Sequence, residues 1–184
     1  LFLLAVLTLA PSIVLMTTSF VRISIVLMFV KRGLSTQEMP PNQVLMGLAL
    51  FLTFFQMAPI FQESYKTGLQ PYLQNKVGVS EMYDKAIEPV RDFMFRQTRE
   101  KDIALMIKLN KADGGKRPRN PSEVPTYVLV PAFMVSELTT AFKIGIYIFI
   151  PFLVIDMVVA AILMSMGMIM LPPVMVSLPF KVIL

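Results

Sequence analysis

Residues 1–21 read LFLLAVLTLAPSIVLMTTSFV and contain no charged side chain. At about 1.5 Å per helical residue such a run spans roughly 30 Å, the thickness of the hydrocarbon core of a bilayer. A cleavable signal peptide needs a shorter apolar region behind a basic start, and neither is present. Because the chain begins with Leu1 and not Met, we expect a processed or trimmed N-terminus. The run continues past Arg22 through Val30 and stops at Lys31-Arg32-Gly33. Two cations beside a helix-ending glycine mark a cytoplasmic end. After Pro40-Pro41, Val44 to Phe61 forms a second uncharged run, with Pro59 near its far end. Residues 1–61 are therefore expected to make a helical hairpin.

The whole composition agrees with that start. Of 184 residues, 55% are apolar and only 16% charged, too few for an ordinary soluble domain. The formal charge of +5 is spread along the middle of the chain, which gives nucleic acid no continuous basic patch to meet. There is no Cys, His or Trp, so disulfides, thiolate metal sites and the common Cys or His nucleophile arrangements are unavailable.

Between Gln62 and Glu123 the character changes, and 12 of the 17 Lys and Arg fall there. This segment belongs in water. Its apolar residues keep helical spacing: Val90, Phe93 and Met94 share one face, and Ile103, Met106 and Ile107 share another. Pro89 is expected to open the first of these helices and Thr98 to cap the second. Asp113-Gly114-Gly115 ends the pattern, and residues 116–121, with two prolines and three cations, read as a loop. Lys31-Arg32 in a short cytoplasmic loop sends the 62–123 domain to the extracytoplasmic side. Its own cations argue the other way, but the charge rule fades for segments of about 60 residues.

From Val124 to Leu184 the only charges are Glu137, Lys143, Asp156 and Lys181, and prolines at 125, 131, 151, 172, 173 and 179 punctuate the stretch. Residues 124–184 are expected to form a second apolar hairpin, broken at these prolines and covered by protein, since each freed backbone group needs a partner at membrane depth. The fold class is thus all-α: two apolar hairpins flanking a small helical extramembrane domain.

Charges inside apolar runs cost about 2.5 to 3.5 kcal/mol each at a helix centre on insertion scales. Lys143 and Lys181 have stems long enough to snorkel, and Glu137 is shorter. Asp156 is too short. It is either a structural ion pair or a proton or ion relay, and if paired its candidate cations are Arg22, Lys143 and Lys181. Six of the 15 methionines lie between Met157 and Met175. They either fill a core or close around objects of varied shape. The helix break at Pro172-Pro173 after Met168-Ile169-Met170 suits the second role. Enzyme signatures are poor. Gly115-Lys116 has Asn110 where a phosphate loop needs Gly and Arg117 where it needs Ser or Thr. Only the distant Glu137 accompanies Asp156 for a carboxylate dyad.

Several strings resemble the FliP family of flagellar biosynthetic proteins: Thr17-Thr18-Ser19-Phe20-Val21-Arg22, Pro40-Pro41-Asn42-Gln43 with the apolar run to Phe55, Val130-Pro131-Ala132-Phe133 with Ser136-Glu137-Leu138, Ala141-Phe142-Lys143-Ile144-Gly145, Pro151-Phe152-Leu153-Val154-Ile155-Asp156, Met168 to Pro173, and Leu178-Pro179-Phe180-Lys181. They cover both hairpins. The 62–123 domain matches in place and character more than in letters.

The resemblance implies a core subunit of the type III protein export gate in the bacterial plasma membrane, at the flagellar basal body. About five copies would assemble with two other small membrane proteins into a closed helical cone, through which unfolded flagellar proteins pass without enzymatic chemistry or a cofactor. The family's methionine gasket would fall on Met168, Ile169 and Met170, with Ile169 a mild departure from the usual Met. Its intersubunit charges would fall on Arg22, Glu137, Lys143, Asp156 and Lys181. Family chains continue past Leu184 into a further apolar segment, so a truncated C-terminus is expected. Two other readings stay open: a secondary transporter or ion channel with Asp156 as its coupling site, and, more distantly, a membrane peptidase.

Overall fold

Thr17 and Thr18 interrupt the first apolar run. The Thr17 Oγ1 donates to the Ile13 carbonyl at 3.0 Å and the Thr18 Oγ1 to the Leu15 carbonyl at 3.0 Å. Hydroxyls that take backbone acceptors in this way compete with the helix ladder, and residues 17–19 form a turn. The long first helix expected from the composition is therefore divided, and α1 (Phe20–Gly33) starts afresh beyond the turn. The computed structural model describes residues 8, 11–34, 40–110, 124–168 and 171–183.

The remaining elements are α2 (Asn42–Ser64), a π turn (Tyr65–Leu69), α3 (Gln70–Leu73), α4 (Val79–Gln97), α5 (Glu100–Asn110), α6 (Thr126–Ser165) and α7 (Pro173–Ile183). No strand occurs among the described residues. The expected loop at 113–121 lies outside them. The chain divides into two compact units, Leu1–Val21 with Leu50–Thr139 and Arg22–Ala49 with Thr140–Leu184.

The first unit has a small core of its own. Met94 of α4, Ile103 of α5, and Val128, Leu129, Ala132 and Phe133 of α6 are buried together, with Val90, Phe93, Met106 and Ile107 packed against them. Both apolar triplets read from helical spacing therefore face this core, and Phe93 meets Phe133 edge-on at 5.9 Å. Arg91 ties α4 to the start of α6, donating to the Val124 carbonyl at 2.6 Å and to the Thr126 hydroxyl.

Two expectations for α4 and α5 are corrected. Pro89 sits inside α4, eleven residues into a helix that begins at Val79. A proline there leaves the carbonyl four residues earlier, that of Lys85, without its usual donor. Sharing its single proton with the Glu63 carbonyl at 2.9 Å, the Thr67 Oγ1 supplies one at 3.1 Å. That contact is close because Gly68 of the π turn lies against Ala86, where an added Cβ would meet the Ala86 Cβ at 2.6 Å. Thr98, expected to open α5, instead closes α4: its backbone is extended and its Oγ1 donates to the Met94 carbonyl at 2.6 Å. The corner between the two helices is held by Ser136 of α6, whose Oγ accepts from the Arg99 N–H at 3.0 Å and donates to the Gln97 carbonyl at 3.3 Å.

In the second unit, α1 and the later part of α6 run side by side in the same sense. Phe29 covers Gly145 and meets the edge of Phe142 at 5.8 Å, and Phe152 covers Gly33 further on. At both glycines an added Cβ would fall 2.3 Å from the ring, so only a bare backbone admits these contacts. The helix α6 is unbroken at Pro131 and Pro151, against the expectation of a break at each. Each proline forfeits one backbone bond, a penalty of about 3 kcal/mol. Packing anchors adjoin both positions: buried Leu129, Ala132 and Phe133 around Pro131, and Phe152 beside Pro151.

Residues 42–73 and 126–165 are each long and apolar enough to cross a membrane. Only 17% and 11% of their most apolar windows are buried within the chain. A soluble protein buries such helices. Here Phe51, Phe54 and Phe55 are 67%, 68% and 75% exposed, and that surface requires lipid or another protein to cover it.

Candidate functional site

Two of the charges singled out in the sequence, Asp156 and Lys181, lie on the hairpin made by α6 and α7, as do the described methionines from Met157 to Met175. The end of α6 is a Schellman turn: the Gly167 N–H donates to the Met164 carbonyl at 3.1 Å and the Met168 N–H to the Leu163 carbonyl at 3.0 Å. Gly167 adopts φ +76 to close it, a left-handed conformation that glycine takes without steric cost. Pro172 and Pro173 follow, and Pro173 is the first residue of α7, where a missing N–H forfeits nothing. Met168 lies in the connection. Ile169 and Met170 lie outside the described residues.

Asp156 stands nine residues before the end of α6, and Ser177 and Lys181 share one face of α7, four residues apart. The antiparallel hairpin brings the three together. Lys181 Nζ meets Asp156 Oδ2 at 2.7 Å, and Ser177 Oγ donates to Asp156 Oδ1 at 2.5 Å. The Lys181 side chain is 0% exposed and that of Asp156 26%. Burying an ammonium costs several kcal/mol, which a close carboxylate with its other oxygen hydrogen-bonded offsets.

Of the three candidate cations for Asp156, the structure joins Lys181 to it within one chain. Lys143 is exposed and lies thirteen residues before Asp156 on the same helix, about 20 Å along the axis. Glu137 is fully buried and Arg22 half-buried, and both are engaged by interactions. Sequence reasoning missed Ser177, although its spacing of four from Lys181 was the available signal. It also missed Gly33 and Gly145 as seats for aromatic rings. Within the chain, four methionines of the 157–175 stretch lie outside its core: Met157, Met164, Met166 and Met175 are 72%, 64%, 65% and 72% exposed. Among the described residues no group of three His, Cys, Asp or Glu side chains is placed to hold a metal ion.

An uncovered apolar surface, helices of crossing length and an ion pair between two apolar helices define an all-α membrane protein. The FliP family model matches residues 3–184. Over 184 residues the chain is 57% identical to the flagellar biosynthetic protein FliP of Bacillus subtilis, covering 100% of this chain and 82% of that one. It is 52% identical over 187 residues to the protein of the same name from Borreliella burgdorferi, with 100% and 72% covered, and 52% identical over 181 residues to that of Caulobacter vibrioides, with 98% and 67% covered. The chain belongs to the FliP family.

Proposed function

We propose that this flagellar biosynthetic protein is a pore-forming core subunit of the type III export gate. About five copies wind with two other small membrane proteins around a passage for unfolded flagellar proteins. The gate sits in the bacterial plasma membrane at the flagellar basal body. The stretches 1–61 and 124–184 form the two apolar hairpins, and the 62–123 domain lies on the extracytoplasmic side. Arg22, Glu137, Lys143, Asp156 and Lys181 are the charges that order the packed helices, and Met168, Ile169 and Met170 form the gasket.

The observation that carries this reading is the uncovered apolar surface of the two long helices. That surface needs lipid or protein to cover it, and on this reading other subunits cover part of it. Exposed, flexible methionines around a helix break support the gasket, because thioether side chains repack around differing shapes. A transporter with Asp156 as coupling site fits less well, since Ser177 and Lys181 already occupy both carboxylate oxygens.

Two measurements test the proposal. The complex purified in mild detergent should contain unlike membrane subunits with several copies of this chain, and a lone monomer surrounded by lipid would end it. Replacing Met168 and Met170 by Ala should make the assembled closed gate leak ions. An unchanged leak in an intact complex would remove the gasket role.

A further inference from the structure

We propose that the 62–123 domain carries two matched surfaces, an acidic ridge on α4 and a lysine–leucine stripe on α5, and that the ridge of one copy receives the stripe of the next. The inference rests on the channel reading in one respect, that several copies assemble together. Glu81, Asp84, Glu88 and Asp92 recur at steps of three or four and so share one side of α4. Two of them are already served, Glu81 by Lys85 at 2.8 Å and Asp92 by Arg96 at 3.9 Å. Asp84 and Glu88 are exposed and have no ion-pair partner among the described residues. Like charges four apart destabilise a helix, so this pair strains the domain until a cation arrives from outside. The nearby Arg91 is turned inward, to the Val124 carbonyl at 2.6 Å and the Thr126 hydroxyl. The ridge also has relief. Glu88 and Asp92 line one hollow of about 670 Å³ together with Tyr83 and Asp84, and a second of about 450 Å³ together with Glu63 and Thr67.

The complement lies on the next helix. Lys101, Leu105, Lys108 and Leu109 follow the spacing i, i+4, i+7, i+8 and stand away from Ile103, which α5 buries in the core. Leu105 and Leu109 are 46% and 68% exposed, and both lysines are exposed with no ion-pair partner among the described residues. The spacings agree. Lys101 and Lys108 stand about 10 Å apart along α5, and the carboxylates from Asp84 to Asp92 extend over about 12 Å of α4. Two such helices laid side by side bring both ammoniums to carboxylates and offer the leucines to the exposed ring of Tyr83. Charge rules out lipid as the cover for either surface. Both belong to one compact unit and are held by one core, through Met94 on α4 and Ile103 on α5. Two different, complementary surfaces on one rigid body make a head-to-tail contact, which closes into a ring and not into a two-fold dimer.

The chain has no Cys, so introduced thiols report their own positions alone. Tyr83→Cys is combined in one chain with Leu105→Cys or with Leu109→Cys, which leaves every charge of both surfaces in place. Treated with a short bismaleimide in native membranes that hold the assembled complex, at least one of these chains should give a ladder of cross-linked multimers. Each cysteine alone should give only monomer, and dimers from a single cysteine would show a two-fold contact and overturn the proposal. Adding Glu88→Lys should cut the cross-linking rate by at least about tenfold, because like charges facing each other across an interface are strongly unfavourable. Adding Lys108→Glu as well should restore most of it, and a charge swap no better than the single reversal would also overturn the proposal. A complex that holds several copies yet gives no ladder from either cysteine pair would remove this contact and leave the channel reading standing. A chain found only as a monomer would remove both.

Discussion

Replacing Asp156 by Asn removes the carboxylate that touches a fully buried ammonium. The Lys181 side chain has 0% exposure, so the group left behind has no access to water. Removing one partner of a buried pair costs about 3–5 kcal/mol, and the full burial of Lys181 puts Asp156→Asn toward the upper end. The reverse change, Lys181→Met, leaves a carboxylate that is still 26% exposed and still bonded to Ser177. Its cost should fall at or below about 3 kcal/mol. For a chain of this length 1 kcal/mol moves the melting midpoint by about 2–4 °C. Asp156→Asn is therefore expected to lower the midpoint by about 6–20 °C, and Lys181→Met by clearly less. Combining the two removes both charges, and replacing a buried pair by neutral groups is often close to neutral, so the double variant should recover most of the loss. Thermal unfolding in mild detergent, followed by far-UV circular dichroism, measures all three. A double variant as unstable as the sum of the singles would show the two charges to be uncoupled. A larger loss for Lys181→Met than for Asp156→Asn would refute the burial asymmetry.

Gly145→Ala should destabilise the second unit by about 1–3 kcal/mol, because its Cβ would fall 2.3 Å from the Phe29 ring. Phe29→Leu in the same chain should restore part of that loss in the same melting assay, and an unshifted midpoint for Gly145→Ala would contradict the packing described. Thr67→Val should cost about 0.5–1.5 kcal/mol by removing the hydroxyl that serves the Lys85 carbonyl. In a Pro89→Ala background the alanine N–H takes over that carbonyl, so the cost of Thr67→Val should shrink. An equal cost in both backgrounds, measured by urea unfolding, would sever the link between the two residues.

Much of this fold was legible because it depends on neighbours in sequence. The spacing of Val90, Phe93 and Met94, and of Ile103, Met106 and Ile107, is a local record of which helix face meets a core, and both faces do so. What escaped depends on partners far along the chain. Pro89 looks like a helix opener because its missing N–H normally leaves a gap, yet the group filling that gap is Thr67, 18 residues before the Lys85 carbonyl it serves. Pro131 and Pro151 were expected to break a helix that packing on either side keeps whole. At the candidate site the expense of Asp156 in an apolar run was visible, and so was a short set of cations. The choice of Lys181 required the hairpin that turns α7 back along α6. Ser177 went unnoticed because a serine among apolar residues carries no sign of whom it will bond.

The π turn alters how residues 42–73 should be projected onto a wheel. The Gln70 N–H reaches the carbonyl of Tyr65, five positions back, so one residue more than an α-turn holds is wound into the same rise. Every side chain beyond it lags by about 100° relative to an uninterrupted spiral. Tyr72 and Leu73 therefore belong to a different azimuth from the one their numbering implies, and an outward stripe traced from Phe54 cannot be extrapolated to them. Deleting a single residue from Tyr65–Leu69 would restore the α ladder and leave α3 on its present azimuth.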